Sequence, residues 1–369
     1  MRRCYNCASR PFLTETRLKT PDLRTLRPAP GCDRVEILDQ TRLPNVRSTV
    51  SLATAADAAH AIRAMQVRGA PLIGATAAFG LALALRTDPS DASLASAHAL
   101  LLAARPTAVN LRWALDRVRH KVAKLAAPGR VAAAWAEAEA IAAEDVATNR
   151  ALGGHGMSII ERLAAGRREP LQILTHCNAG ALATLGWGTA TAPIYLAHAA
   201  GLPLHVWVSE TRPRLQGAKL TAWELGALGV PHTLIVDAAG AALMQAGRVD
   251  LVLVGADRVT RNGDVCNKIG TYEKALAARD NEVPMYAAVP SSTIDWTLDA
   301  GAEVPIEERD AAEVLYPGGE SIAPAGTRVA NPAFDTTPGR LLTGLITERG
   351  ICAASSTGLS TLFPEYARG

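Results

Sequence analysis

The sequence is poor in aromatic residues and in cysteine. Aromatic residues make up 4% of the 369 positions, and there are six cysteines. So few aromatic rings argue against a surface that stacks on nucleic-acid bases. So few cysteines cannot form a disulfide framework in a chain of this length, which predicts a reducing, cytosolic compartment.

Several motifs and segment types are also missing. No GxGxxG motif follows a predicted strand, and there is no GxxxxGK[ST] motif, so dinucleotide and P-loop interpretations lack support. Cys4 and Cys7 form a lone CxxC pair, whereas a metal site needs about four ligands. With no His/Asp/Glu cluster at ligand spacing, we expect neither a metal nor a cofactor. The basic start lacks the apolar core of a secretory signal.

Charge and hydropathy favour an ordinary globular protein. The net charge of +3 is too small to indicate nucleic-acid binding by itself, and hydrophobic residues at 49% provide a substantial core. The uncharged run 69–85 contains mainly Gly, Ala and Thr and falls short of about 20 apolar residues. It predicts a buried helix, not a membrane span.

The length indicates about two domains. Residues 1–30 have no periodicity and predict a flexible extension. Residues 31–166 predict a mostly helical domain, whose last helix runs from Val131 to about Leu163 with an interruption at Gly153 and Gly154. The polar segment 166–170 predicts a boundary, after which residues 167–369 form the second domain.

The second domain alternates short apolar runs with helical segments. This pattern is typical of a parallel sheet built from βαβ units, whose carboxyl ends share one edge. The predicted strands are Leu171–Leu174, Leu204–Val208, Thr233–Val236, Leu251–Val254 and Met285–Val289.

The stretch 171–193 is the one around which the rest is organised. It predicts a strand, a polar turn and an Ala-rich helix, a unit that presents N–H groups and a helix dipole to an anion. Cys177 ends the strand, where a following helix would favour a reactive thiolate. The alternative is a buried structural cysteine. His176 should point to the opposite face, so a Cys–His dyad is not expected.

Asp257 follows a second apolar strand, in VDLVLVGAD. It could serve as a proton donor at the mouth of an apolar site. The alternatives are a helix N-cap or an ion-pair partner for Arg258. Because both strands end at the same sheet edge, we expect Cys177 and Asp257 to converge.

Other polar residues follow strands or helix breaks. Arg212, Arg214 and Gln216 lie in a loop that could present a guanidinium to phosphate, or could be an ordinary solvated loop. Asn267 and Lys268 could bind hydroxyl and phosphate groups, although their spacing alone favours a surface hairpin.

The first domain has two comparable positions. The segment Arg68-Gly69-Ala70 and Arg105 lie at helix breaks, where they could reach an anion across a cleft or simply cap helix ends. The residues alone therefore indicate a small phosphorylated ligand at a sheet edge, beside a thiol and a carboxyl group.

Seven segments, taken in order, resemble the family of methylthioribose-1-phosphate isomerases of methionine salvage. This family also includes regulatory subunits of the guanine-nucleotide exchange factor of translation initiation and ribose-1,5-bisphosphate isomerases. The resemblance runs from about Val35 to Ile351. The segments are RGAPLIGATAAFG (68–80), RPTAVNL (105–111), THCNAGALAT (175–184), ETRPRLQGAKLTAWEL (210–225), VGADRVTRNGDVCNKIGTY (254–272), PIEERDAAEV (305–314) and NPAFDTTPGRLLTGLITERGI (331–351).

The resemblance implies an α/β fold with an N-terminal mostly helical domain and a C-terminal Rossmann-like parallel-sheet domain. It implies a cytoplasmic homodimer that isomerises a small phosphorylated sugar without metal or nucleotide, and without a nucleic-acid or membrane partner. It makes Cys177 and Asp257 the catalytic pair. The implied substrate-binding residues are Arg68, Gly69, Ala70, Arg105, Gln216, Asn267 and Lys268.

Two other functions stay open within this resemblance. A ribose-1,5-bisphosphate isomerase would need a basic pocket for the second phosphate, where the methylthio sugar needs an apolar one. A non-enzymatic subunit of the translation-factor type would need a partner surface and not a Cys/Asp pair. The presence of Cys177 and Asp257 favours an enzyme.

Overall fold

The computed structural model describes residues 23–105 and 108–367. The CxxC pair and residues 1–22 of the predicted extension lie outside this range. The expectation that the extension continues to residue 30 is wrong, because Leu26–Pro28 forms a strand (β1). Leu23 and Thr25 are buried, and the Thr25 hydroxyl donates to the Thr184 carbonyl at 2.6 Å. These contacts anchor residues 23–28 to the body of the protein.

The first half is mostly helical, as predicted. Strand β1 joins two others in a small antiparallel sheet that the sequence only partly indicated: β2 Val35–Leu38 and β3 Thr49–Leu52. The described residues that follow form the α-helices α1 Ala55–Arg63, α2 Ala70–Thr87, α3 Asp91–Leu102, α4 Val109–Val122 and α5 Ala127–Ala164. The Thr54 hydroxyl and the Asp57 carboxylate form a capping box at the start of α1.

Helix α2 is the centre of this half. By length and composition alone it could cross a membrane, but 78% of it is buried inside the protein. It packs against α1, α3, α4 and α5. The apolar run therefore serves as a core helix, as its Gly and Ala content predicted.

Helix α5 runs for 38 residues without a break, so the predicted interruption at Gly153 and Gly154 is wrong. Its first part packs in the core around α2, with Trp135 edge-on to Phe79 at 5.3 Å. Its last part, including Leu152 and Ile160, belongs to the core of the second half.

Gly153 and Gly156 of α5 allow a neighbouring helix, α6 (Thr191–Ala199), to approach closely. A Cβ on Gly156 would lie 2.3 Å from Pro193 Cγ, whereas a Cβ on Gly154 would meet nothing within 4 Å. We expect Gly156→Ala to lower the free energy of unfolding by about 1–3 kcal/mol through overpacking. Gly154→Ala should raise it by about 0.5–1 kcal/mol. Urea unfolding of both variants checks this, and equal effects would contradict it.

In the described residues up to 367, the second half contains two sheets and six α-helices. The strands are β4 Leu171–Thr175, β5 Leu204–Ser209, β6 His232–Ile235, β7 Leu251–Val254, β8 Arg258–Thr260, β9 Val265–Lys268, β10 Met285–Ala288, β11 Ile294–Asp295, β12 Phe334–Thr337, β13 Gly344–Thr347 and β14 Gly350–Cys352. After α6 the helices are α7 Ala222–Ala227, α8 Ala239–Gln245, α9 Thr271–Asp280, α10 Ala312–Leu315 and α11 Ser356–Leu362.

The larger sheet has the order β14-β13-β10-β7-β4-β5-β6. Its pairs are parallel except β13–β14. The six parallel strands, numbered along the chain, follow the order 3-2-1-4-5-6 of doubly wound α/β sheets. All five predicted strands are confirmed, while β13 and β14 were not predicted. The strand order reverses between β4 and β7, which opens a crevice at their carboxyl ends.

The smaller sheet, β11-β8-β9-β12, was not predicted. Strand β9 lies inside it, between β8 and β12. Asn267 and Lys268 are at the end of β9, and each is only 5% exposed. The hairpin that their spacing favoured is confirmed, because β8 and β9 pair antiparallel. Its predicted surface position is wrong, because both side chains are buried.

Candidate active site

Cys177 and Asp257 line the same cavity, at the crevice between β4 and β7. Arg68, Gly69 and Ala70 line it from the helical half. The structure thus brings together residues that are up to 189 positions apart in the sequence. Asp257 also lines an adjoining cavity with Arg105 and Phe334.

Cys177 lies in the turn after β4 and has a φ of 64°. Its N–H donates to Thr211 Oγ1 at 2.8 Å, and its carbonyl accepts from Thr221 Oγ1 at 2.7 Å. The α-helix predicted to follow this turn directly is absent. Only a 3-10 turn, Ala181–Ala183, lies between Cys177 and the start of α6 at Thr191. The thiol is therefore not at a helix N-terminus.

The N–H groups of this turn bind an anion that belongs to the protein itself. The Glu224 carboxylate accepts from the N–H groups of Ala181 at 2.7 Å and Leu182 at 2.9 Å. It also accepts from the Tyr195 hydroxyl at 2.6 Å and from Asn178 Nδ2 at 2.8 Å. Burial raises the pKa of Glu224, and these donors oppose that shift. No local pattern in the sequence indicated this partner.

The helix N-terminus that faces the cavity is that of α2. Gly69 precedes it with a φ of 94°, and a Cβ there would lie 2.5 Å from the Ala183 carbonyl oxygen, so only glycine fits. Ala70 lines the cavity. The first turn of α2 has no acidic residue, and no side chain in the described part of the chain caps it. This end of an 18-residue helix attracts a small anion.

Arg68 links the two halves across the cavity. Its guanidinium donates to the Asn178 side-chain oxygen and, at 2.8 Å, to the Asn178 carbonyl. Asn178 is in turn held by Glu224. The orientation of Arg68 is therefore set by the same turn that carries Cys177.

Three further cations surround the Phe334 ring. Lys268 Nζ lies 4.5 Å from the ring centroid, and the guanidinium carbons of Arg105 and Arg309 lie 6.0 and 5.9 Å from it. Glu307 contacts Arg105 at 3.6 Å and Arg309 at 2.9 Å. Burial and the neighbouring Arg309 lower the pKa of Arg105. This group can neutralise a phosphate.

Arg309, Glu307 and Phe334 were not predicted as site residues. They lie in two of the segments that carry the family resemblance, but their chemistry becomes visible only where the segment 305–309 folds against β12. The burial of Lys268 lowers its pKa to about 8, and Cys177 nearby opposes that shift.

The remaining predicted residues occupy several positions. Asn267 lines the cavity of Cys177, and its Nδ2 donates to Thr271 Oγ1 at 3.0 Å. Gln216 lines a third cavity that shares Arg68 with the first. Arg258 pairs with Asp295 at 3.1 Å. Residues 258–260 form a strand, so the N-cap alternative for Asp257 is wrong.

The loop arginines after β5 are already paired within the protein. Arg212 donates to the carbonyls of Pro213 and Val314, and Arg214 contacts Glu313 at 2.7 Å. Among the residues the structure describes, no group of three or more His, Cys, Asp or Glu side chains could hold a metal ion.

The fold and the site together define an α/β protein with a helical half and a basic cleft for a small anionic ligand. The chain belongs to the initiation factor 2 subunit family, whose model matches residues 66–354.

Two relatives and two solved structures place the chain within this family. It is 58% identical to methylthioribose-1-phosphate isomerase of Rhodospirillum rubrum, over 95% of this chain and 94% of that protein. It is 60% identical to the same-named protein of Methylobacterium nodulans, over 93% and 96%. The structure of 5-methylthioribose 1-phosphate isomerase from Pyrococcus horikoshii has a TM-score of 0.84 and 40% identity, covering 95% of this chain and all of that one. Translation initiation factor eIF-2B, subunit delta, from A. fulgidus has a TM-score of 0.79 and 37% identity, covering 92% and 99%.

Proposed function

We propose that this protein is an aldose–ketose isomerase that converts 5-methylthioribose 1-phosphate to 5-methylthioribulose 1-phosphate in methionine salvage. The observation that carries the proposal is the shared cavity of Cys177 and Asp257, which faces the start of α2 and Arg68. The names of relatives at 58% and 60% identity support it.

The anomeric carbon of this substrate carries the phosphate, so no free aldehyde is available and the ring must open with the phosphate attached. Protonated Asp257 donates its proton to the ring oxygen as the bond to C1 breaks. The Cys177 thiolate then removes the C2 proton, which gives an enol phosphate. Protonation of C1 and loss of the enol proton yield the ketone at C2.

Cationic side chains bind the phosphate of the substrate. Arg68, Arg105 and Lys268, with the N–H groups at the start of α2, hold the phosphate. The helical half covers the crevice and excludes water from the enol phosphate.

A direct hydride shift from C2 to C1 is the rival route. With deuterium at C2, loss of the label to water supports removal of a proton by Cys177. Full retention at C1 favours the shift or a base shielded from solvent. Proton NMR of the product measures the label.

The function itself is tested by proton NMR of the purified protein with 5-methylthioribose 1-phosphate and, in parallel, ribose 1,5-bisphosphate. Ketose from the methylthio sugar alone is the expected result. Conversion of ribose 1,5-bisphosphate alone would leave the proposed mechanism unchanged but would place the protein in a different pathway. No conversion of either, together with copurification of a translation factor, would favour the non-enzymatic subunit.

The charge state of Lys268 makes the reaction dependent on pH. The pKa of about 8 means that the free protein loses this positive charge as pH rises, so we expect kcat/KM to fall about tenfold per pH unit above it. The bound phosphate should keep Lys268 protonated, so kcat should change less. Lys268→Arg stays charged and should lack this fall in kcat/KM. If kcat/KM of Lys268→Arg still falls as the pH rises, the fall must come from the titration of another group.

We also propose a cytosolic homodimer that needs no metal. The family resemblance supports this. Light scattering should give twice the chain mass of 38.7 kDa, and dialysis against EDTA should leave the activity unchanged. A monomer, or a metal requirement, would overturn the respective part.

A further inference from the structure

A cavity adjoins that of Cys177 and shares Arg68 with it. Its walls include Gln40 and Gln216, the cations Arg214 and Lys219, and the apolar residues Met65 and Leu220. The two glutamines come from opposite halves of the chain. The family resemblance implies that Gln216 binds substrate, whereas it implies no role for Gln40.

The orientation of the Gln40 amide is fixed by the protein. Gln40 is 4% exposed, and its Nε2 donates to the Leu182 carbonyl at 2.7 Å. Only the nitrogen of a carboxamide can donate to a carbonyl, so the identity of the two amide atoms is settled. The oxygen, Oε1, is buried and has no donor among the described residues.

Gln216 presents the same feature. It is 5% exposed, and its Oε1 is also buried without a donor in the described part of the chain. Buried acceptors without a partner are rare in folded proteins and cost free energy. Both glutamines line one cavity, and their two unpaired acceptors indicate a ligand that brings hydrogen-bond donors.

The chemistry of the substrate limits what those donors are. A phosphate dianion and a thioether carry no hydrogen to donate. The sugar has two hydroxyl groups, on C2 and C3, and each can donate to a carboxamide oxygen. We infer that Gln40 is a substrate-binding residue whose Oε1, together with that of Gln216, accepts hydrogen bonds from these hydroxyls. This inference rests on the proposed function.

Gln40 also holds Leu182, in the turn that carries Cys177, so the experiment must separate the two roles. Binding is measured by calorimetry in a Cys177→Ser background, which keeps the ligand from being consumed. The ligands are 5-methylthioribose 1-phosphate and its 2-deoxy and 3-deoxy analogues.

We expect Gln40→Met to weaken binding of the parent sugar about tenfold, and to leave the affinity for one deoxy analogue unchanged. Gln40→Glu keeps an acceptor but removes the donor to Leu182, so it should retain the preference for the hydroxylated sugar. Thr41→Ala is the matched control. Thr41 lines the same cavity, and its hydroxyl already donates to Asp39 at 2.6 Å, so all three affinities should stay the same.

Equal losses for all three ligands in Gln40→Met would overturn the inference, because Gln40 would then act only through Leu182. That result would leave the proposed function intact. Failure of the Cys177→Ser protein with Gln40 in place to bind the parent sugar would instead overturn the proposed function, and the inference with it.

Discussion

Cys177→Ser and Asp257→Asn should each lower turnover at least about a hundredfold, the scale of a general acid or base. A serine hydroxyl is a far weaker acid than a thiol and supplies no base at neutral pH. An asparagine amide has no acidic proton to give to the ring oxygen. Steady-state kinetics with 5-methylthioribose 1-phosphate measures the effect, and near-normal turnover in either variant would contradict the role of that residue.

Cys266 provides the matched control for the thiol. It is buried, and it lines the cavity that also contains Asp257 and Arg105. Burial raises the pKa of its thiol to about 12, so it is not a thiolate near neutral pH. Cys266→Ser should therefore retain turnover within a few fold, while Cys177→Ser loses it. Equal losses of turnover in Cys266→Ser and Cys177→Ser would show that the substitutions act by disturbing packing and not by removing a base.

Glu224→Ala should lower the free energy of unfolding by several kcal/mol. The carboxylate accepts hydrogen bonds from Ala181, Leu182, Tyr195 and Asn178, and each buried donor left unpaired costs about 1–3 kcal/mol. That sum is a large share of the stability of a typical protein, about 5–15 kcal/mol. Urea unfolding monitored by circular dichroism measures it.

Tyr195→Phe is the milder counterpart. It removes one of the donors to Glu224 and leaves the carboxylate in place, so it should cost about 1–3 kcal/mol. In Tyr195→Phe the Glu224 carboxylate still accepts hydrogen bonds from Asn178 and from the turn after Cys177. The turnover of Tyr195→Phe should therefore be retained, whereas that of Glu224→Ala should be lost. A Glu224→Ala protein as stable as the wild type would contradict this view of the turn.

The sequence predicts the larger sheet well and the smaller one poorly, for a physical reason. Strand β7 is buried throughout and is a continuous apolar run, and β4 has a similar apolar run interrupted only by the half-buried Gln172. Strands β8, β9 and β11 have two to four residues and carry Arg258, Asn267 and Lys268, so no apolar run marks them.

The site was predictable where strand ends define it, and not where distant side chains complete it. Cys177 and Asp257 follow from the edge of a parallel sheet. Glu224 and Gln40 act by hydrogen bonds to the 181–182 segment from 42 and 142 positions away, and neither belongs to a local motif. The helix predicted after Cys177 is missing although the Ala content favours it. The turn is instead organised by the distant Glu224.

The unbroken course of α5 restricts how the protein can move. Its 38 residues span about 57 Å, and one continuous hydrogen-bonded rod belongs to the cores of both halves. Rotating one half away from the other about a hinge would require α5 to bend, or one end of α5 to lose its packing in the core of that half. The continuous helix α5 therefore disfavours a hinge motion that separates the two halves.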